Sequence, residues 1–540
     1  MRRVIIVGSS LAAAKVATRL KRKDPSSEVN IIVPAVESGQ ESVKDGVFYK
    51  ARAERHAVAE LLRSREVGVV EASDLSVDFD ARVVLPTSSR GSLPIRYNVL
   101  VLEVQAQPRI PRVLRGAPNV IGWPGEGAAT LDAMLSTTAE VRVVVVGQGQ
   151  AAMEALRLVA RSGQVPVWLR LGDVGPDILD GDTWRMVERL AANGGVEVHD
   201  WSHVPMERMG ARPDEHGGVA ALVAALEGGN DLRVEGDVFI WTAPTVVQHP
   251  VVAQEGITLD AHGRIEVDGN LATVEEGVYL IGTGVAMACG CGSAPLHVGE
   301  HDLAGLARGL ADHLAGDATT TMPPCTGLVH AEGPGFAVSR AGVTLEEAVR
   351  RGLEGEFALL PLEDGGLLKL VADKVSRQVI GYQATGTGES LDLLAPLLSF
   401  AVGRSATVDE LAASDCPGPV GTVVRKVAGI LANKMEGRFY GITADELRAS
   451  REAGAEFFLL DLRAMPEWRN GHIPGAYNIP LPQLAKRLQD EVPRFTPIVL
   501  VSRTSDAAWS VACKLFGLGA TALYVLDGGM RCWDYELETA

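Results

Sequence analysis

The stretch "IVLVSRTSDAAWSVACKL" (498–515) runs strand, short loop, helix, the order in which backbone N–H groups and a helix N-terminus hold a reactive thiolate. At the head of that loop stands Ser502, whose hydroxyl has no accessible anion at neutral pH and forms no persulfide. A second place for sulfur chemistry is "MACGCGSAPLHVGEH" (287–301), where Cys289 and Cys291 are separated by one residue and followed by His297 and His301. Such thiols can form a strained redox pair, or bind zinc or another thiophilic metal with one or both histidines. The spacing lacks the Cys-x-x-Cys of common structural zinc sites, and two idle thiols in a glycine-rich loop are the plainer reading.

A third group binds rather than reacts. Gly147, Gly149 and Ala152 fit G-x-G-x-x-G/A directly after a strand and at a helix start, the pattern that lets a dinucleotide pyrophosphate approach backbone N–H groups. At the end of the next strand, where a carboxylate would hold the ribose of NAD, stands Arg170; a cation there favours a 2′-phosphate and so NADP, and an ordinary surface arginine is the other reading. An earlier turn opens with Gly8 but continues with Ser10 and Ala13, and its following strand ends at Ala35 where an acid would be expected. Those side chains crowd a pyrophosphate.

The elements that carry these residues repeat one plan. "RRVIIVGSSLAAAKVATRL" and "VRVVVVGQGQAAMEALRLVARSG" each pass from a β-branched strand through a glycine turn into a helix with apolar positions at helical spacing, then to a second strand, "VNIIV" or "VPVWLRL". Two βαβ units predict two nucleotide-type parallel sheets. The strand "GVYLIGTG" (277–284) reads as a return to the first sheet, with the second unit inserted between. From about residue 325, "GLLKLVADKVSRQVIGYQATG" and the helices up to "RKVAGILANKMEGRF" read as a smaller α+β domain, and "FFLLDLR", "IVLVS" and "ALYVLDG" as buried strands of a last α/β unit.

Composition narrows the class. The chain of 540 residues has 46% hydrophobic and 22% charged residues, which suits a soluble protein of several domains. A formal charge of −17, from 51 basic and 68 acidic residues, argues against nonspecific binding to nucleic acid or anionic membranes but leaves room for a local basic pocket. The opening "MRRVIIVGSSLAAAKVATRL" mimics a secretory signal, yet Lys15 interrupts it and strand, turn and helix is the more economical reading, so a cytoplasmic location is expected. Cys325, Cys416, Cys513 and Cys532 are scattered and read as thiols in a reducing compartment.

In this order of parts the whole chain resembles the coenzyme A-disulfide reductase and NADH-dependent persulfide (polysulfide) reductase group, FAD-dependent pyridine nucleotide-disulfide oxidoreductases fused to a C-terminal rhodanese domain. The resemblance implies a FAD-type Rossmann-like domain over 1–115 and 256–320, an inserted NAD(P)-type domain over 116–255, an α+β interface domain over 325–435 that makes a homodimer, and a rhodanese-like domain over 440–540. Active positions depart from the family. "VPAVESGQESVKDGVFYK" resembles the segment from the ribose-binding Glu to the redox-active Cys-Gly, with Ala35 and Asp45-Gly46 in those places. In "YNVLVLEVQAQPRIP" Glu103-Val104-Gln105 replaces Ala-Thr-Gly; "DVFIWTAPTVV" carries Pro244 at the second such glycine; and Gly282-Thr283 replaces the Gly-Asp near the flavin ribityl chain. "LAASDCPGPVGTVVRKVAG" holds Ser414 and Thr422 where the family has a Tyr and a Lys, whereas Arg22 matches an arginine that meets coenzyme A. "DLR" (461–463), "GHIPGAYNIP" (471–480) and "LDGGMRCW" (526–533) resemble rhodanese signatures, with Ser502-Arg503 at the family's Cys-Arg.

The resulting expectation is an α/β fusion that has lost disulfide reductase and sulfurtransferase chemistry and serves as a nucleotide-binding sensor or partner subunit. Its ligand would be NADP, NAD or a coenzyme A-like molecule, with weak support for a dinucleotide at Gly8 and Thr283 and an argument against FAD from four altered flavin-side positions. A redox or sulfur-metabolism protein partner goes with that reading. The alternatives are an active FAD-dependent NAD(P)H oxidoreductase working through Cys289 and Cys291, and a ligand-free structural subunit.

Overall fold

The computed structural model describes residues 1–34, 62, 65–88, 91–123, 128–136, 139–172, 179–225, 231–243, 245–247, 249–253, 256–260, 262–288, 295–317, 319, 321–493, 496–520 and 522–540. The chain forms two compact units, one of 1–178 with 191–335, the other of 179–190 with 336–540.

The first unit holds two five-stranded parallel sheets. In one, Val278–Ile281, Val99–Glu103, Arg3–Val7, Glu28–Pro34 and Gly68–Ala72 lie side by side, so the strand near residue 280 returns to the sheet that the N-terminal strand began. The apolar run Val4, Ile5 and Ile6 is fully buried, as strands covered on both faces require. The helix Leu11–Lys23 turns Ala13, Val16, Ala17 and Leu20 inward and packs against the helix Glu300–Leu314, where Arg19 meets Asp312 through two bonds of 2.6 and 2.7 Å. That guanidinium holds the Asp312 carboxyl below the usual carboxylate range.

The other sheet orders Val120–Gly122, Val238–Trp241, Arg142–Val146, Val165–Leu171 and Glu197–Trp201. Its core joins Val144, Val146, Leu169, Leu171, Phe239 and Trp241, and the helix Gln150–Arg161 covers the opposite face with Met153, Leu156 and Val159.

The second unit contains an antiparallel set, Phe336–Gly342, Val379–Gly386, Leu367–Asp373 and Gly355–Pro361, backed by the helices Gly388–Gly403 and Gly418–Met435. A parallel sheet follows in the order Tyr440–Ile442, Leu523–Leu526, Ile498–Val501, Phe458–Asp461, Tyr477–Asn478. Residues 179–190 fall inside the stretch expected as the inserted domain, yet they belong to this second unit. Met186 packs there against Leu359 and Leu367, and Lys369, 3% exposed, has its Nζ 2.8 Å from carboxylate oxygens of both Asp180 and Asp182. Burial would raise the Asp180 carboxyl, but Lys369 and the N–H of Glu346 outweigh it and hold it below the usual range. Among the described residues no helix is long and apolar enough to cross a membrane.

Candidate functional site

At the first nucleotide turn, the N–H groups that a phosphate would use are already taken. Ser9 N and Ser10 N both donate to Glu103 Oε2, at 2.9 and 3.1 Å, and the Ser10 hydroxyl accepts from Ala12 N and Ala13 N at 3.2 and 3.3 Å. Glu103 ends the neighbouring strand, and a Cβ built on Gly8 would come within 2.6 Å of the Glu103 Cβ, so the glycine makes room for this side chain. Beyond it, Val104 O accepts from Gly284 N at 2.9 Å, and Ala106 N donates to the Thr283 hydroxyl at 3.3 Å. Gly8, Glu103 and Thr283 are thus brought together at the carboxyl ends of three adjacent strands, but as a self-bonded set. The arrangement does not fit a FAD pyrophosphate, whose charge would face the Glu103 carboxylate over the same two N–H groups.

The second turn differs. Gly147 and Gly149 adopt φ of 122° and 93°, which side chains other than glycine resist, and Gly149 gives the helix Gln150–Arg161 no side-chain cap. Ala152 is fully buried beneath it, and Gln148 Oε1 is a buried acceptor without a partner among the described residues. An uncapped helix N-terminus after a glycine turn fits a pyrophosphate. Arg170 is engaged sideways: its Nη2 lies 2.7 Å from Asp200 Oδ2 and 3.3 Å from the Ser202 hydroxyl, across the register that pairs residues 170 and 200.

A cleft of about 510 Å³ lies on the first unit between the helices Leu11–Lys23 and Glu300–Leu314. Its charged lining is Lys15, Arg19, Arg22, Arg65 and Arg308. Arg19 is neutralised by Asp312, whereas Lys15, Arg22, Arg65 and Arg308 have no carboxylate partner among the described residues. Sequence reasoning singled out Arg22 alone. The spacing of Lys15, Arg19 and Arg22 at i, i+4 and i+7 was the signal for the rest of that face.

In the rhodanese-like part, Ser502 is 3% exposed, donates to Thr504 O and accepts from Ala508 N at 3.2 Å. The first acid after it is Asp506, in the first turn of the helix Ser505–Gly517. Burial would raise its carboxyl, but the Thr504 hydroxyl, Lys426 at 3.4 Å and the N–H of Ala507 outweigh that and hold it low. The quoted signatures serve as framework: Arg463 forks onto Asp461, Asn478 Nδ2 donates to Asp461 O and Arg463 O, and His472 stacks on Trp468 with ring centroids 3.9 Å apart. Burial pushes the Cys532 thiol up to about 12 and raises Cys513, so neither is a poised nucleophile.

The remaining expected positions divide. Ala35, Asp45, Gly46, Pro244, Cys289 and Cys291 lie outside the described residues. His297 ends a strand paired with Val285–Ala288, and the exposed His301 has its Nε2 3.0 Å from His330 O. Among the described residues no three His, Cys, Asp or Glu side chains gather as a metal-binding group. Ser414 bonds Leu411 O in the helix that ends just before it, and Thr422 bonds Gly418 O within its own helix.

Two parallel nucleotide-type sheets with a glycine turn at each, and an α/β unit whose loop replaces the thiol with serine, define a nucleotide-binding oxidoreductase fold joined to a rhodanese fold. Residues 2–295 match the family model for pyridine nucleotide-disulphide oxidoreductases and residues 443–536 that for rhodanese-like domains. The chain belongs to the pyridine nucleotide-disulphide oxidoreductase family and carries a rhodanese-like domain; membership implies binding of a pyridine nucleotide. It is similar in fold to reduced CoADR-RHD of Bacillus anthracis, with TM-score 0.82 and 19% identity over 98% of this chain and 97% of that one. A NAD-dependent persulfide reductase from A. fulgidus is similar with TM-score 0.79 and 23% identity, over 98% of this chain and all of that one (100%). In sequence, a NADH oxidase of Lactococcus lactis subsp. cremoris is 21% identical over 442 residues, covering 76% of this chain and 95% of the relative.

Proposed function

We propose that this chain is a nucleotide-binding sensor or partner subunit on an oxidoreductase–rhodanese scaffold. It takes a phosphate-bearing, coenzyme A-like molecule in the basic cleft and NADP(H) or NAD(H) at the turn Gly147–Ala152. The observation that carries this reading is the cleft: four cations without carboxylate partners among the described residues converge on one concavity of a protein whose net charge is −17. Mutual repulsion among them is relieved when a multivalent anion enters. Disulfide reduction through position 45 and sulfur transfer through position 502 are outside the proposal, because Asp45 and Ser502 supply no thiolate.

Coenzyme A and NADP(H) are each expected to raise the melting temperature of the full chain, since a ligand at a hundred times its Kd adds about 2.7 kcal/mol to the folded state. Arg22→Glu with Arg308→Glu should weaken coenzyme A at least about tenfold, because each charge-assisted bond contributes roughly 1.5–3 kcal/mol, and should leave the NADP(H) response in place. A coenzyme A response that survives the double reversal would sink the cleft reading. Arg170→Ala tests the second turn: loss of the NADP(H) response with NAD(H) kept supports a 2′-phosphate role, and equal responses leave Arg170 as the partner of Asp200.

Family membership favours a second reading, a working FAD-dependent NAD(P)H oxidoreductase with its thiols at Cys289 and Cys291. That reading requires bound flavin and NAD(P)H oxidation with a disulfide or polysulfide acceptor, lost in Cys289→Ser.

A further inference from the structure

We infer that Glu103 is a built-in anion, a side chain that occupies the phosphate seat of the first nucleotide turn and completes that turn without a cofactor. The geometry has three parts. One carboxylate oxygen, Oε2, collects two consecutive backbone N–H groups, Ser9 at 2.9 Å and Ser10 at 3.1 Å, which is how a phosphate oxygen is held at a glycine turn before a helix. The other, Oε1, accepts from Gln105 Nε2 at 3.1 Å, which fixes the carboxylate plane. The space in front of Gly8, which in a nucleotide site admits the ligand, is filled by the Glu103 side chain itself.

The contrast with the second turn sharpens the assignment. Both turns follow a buried β-branched strand and open a helix of 12 or 13 residues. At the second, the residue matching Glu103 at the end of the adjacent strand is Thr242, whose hydroxyl donates to Val146 O at 2.9 Å and leaves the turn's N–H groups alone. At the first, the positive end of the helix is answered twice, by Glu103 and by the Ser10 cap. Segment 103–106 then seals the adjoining strand end, with Val104 only 1% exposed and a Cβ on Gly282 unable to fit within 2.8 Å of the Val104 carbonyl carbon. Loss of the family's small residues here is therefore a replacement: the charge that the cofactor would bring is supplied in cis.

The inference is independent of what enters the basic cleft, and full-length wild type, Glu103→Ala and Glu103→Gln test it by melting with and without inorganic pyrophosphate or FAD. Glu103→Ala is expected to melt about 3–6 °C lower, because two charge-assisted bonds at a helix N-terminus are lost. Pyrophosphate should restore most of that loss in Glu103→Ala, while wild type gains no more than the cleft and the second turn provide. Glu103→Gln, which keeps an acceptor but no charge, should fall between them and keeps the comparison open if the alanine variant folds poorly. The cleft and the second turn are common to all three proteins, so an equal pyrophosphate shift in each would overturn the assignment without touching the reading of either site. Wild type carrying or taking up one FAD per chain, or variants melting together with wild type, would overturn it as well.

Discussion

Lys434→Met is expected to cost the second unit about 3–5 kcal/mol, the range for removing one partner of a buried ion pair. Lys434 and Asp527 are each 1% exposed, with Nζ 2.7 Å from Oδ2, and the same ammonium donates to Phe357 O at 2.9 Å and lies 4.5 Å from the centre of the Phe357 ring. Gly441 is what admits the pair, since a Cβ there would come within 2.6 Å of Lys434 Cε. Asp527 Oδ1 already has no partner among the described residues, so loss of Lys434 would leave the buried carboxylate without its counter-charge. Burial raises the Asp527 carboxyl above its ordinary value and Lys434 opposes that rise. A carboxyl whose folded pKa exceeds its unfolded one favours folding while protonated, and that contribution is lost as pH rises through the folded value. The deficit of Lys434→Met should therefore be smaller at about pH 4 than at about pH 8. Lys434→Met with Asp527→Leu should recover part of it. Urea unfolding of the full chain at both pH values decides the matter; a deficit below about 1 kcal/mol, or one that ignores pH, would show that the pair is not sealed from water.

What the sequence revealed depended on how local each signal was. The runs "RVIIV" and "RVVVV" announce buried parallel strands by themselves, and the glycine turns after them follow directly. The membership of Asp180 and Asp182 in the second unit was hidden, because two acids at a helix start are ordinary N-terminal residues until Lys369, 187 positions beyond Asp182, is seen to reach them. Glu103 was visible as a large charged substitute for a small residue. Its seat on Ser9 and Ser10 follows from the parallel pairing of strands separated by about 95 residues, which no local pattern encodes. The cleft was half legible, since Lys15, Arg19 and Arg22 share a helix face, while Arg65 and Arg308 join them only through the fold. Ser502 was readable as the loss of a thiol, but not as a buried hydroxyl bonded within its own loop.

That last detail leads to the second large effect, a sulfurtransferase gained in two steps. Wild type is expected to show no turnover of thiosulfate with cyanide, for want of a nucleophilic sulfur at position 502. Ser502→Cys restores the sulfur atom and keeps the N–H of Ala508, which lies 3.2 Å from the present hydroxyl, as one donor to a thiolate. It does not restore the electrostatics. Asp506 stands in the first turn of the same helix, is held in its charged form by Thr504, Lys426 and Ala507, and competes with the thiolate for the positive helix end. Like charges that share one helix end disfavour each other's ionised form, so the Asp506 carboxylate raises the pKa of a thiol at position 502. Each pKa unit of that rise suppresses the thiolate about tenfold at a pH below it. Adding Asp506→Asn removes the charge but keeps an acceptor for the Thr504 hydroxyl, so the double variant should turn over at least about tenfold faster than Ser502→Cys alone. A pH–rate profile separates the explanations: relief of repulsion moves the rise in activity to lower pH, whereas a change in substrate access scales the curve without moving it. Equal rates and profiles for the single and double variants would mean that Asp506 exerts no hold on this loop, and that the serine alone had silenced it.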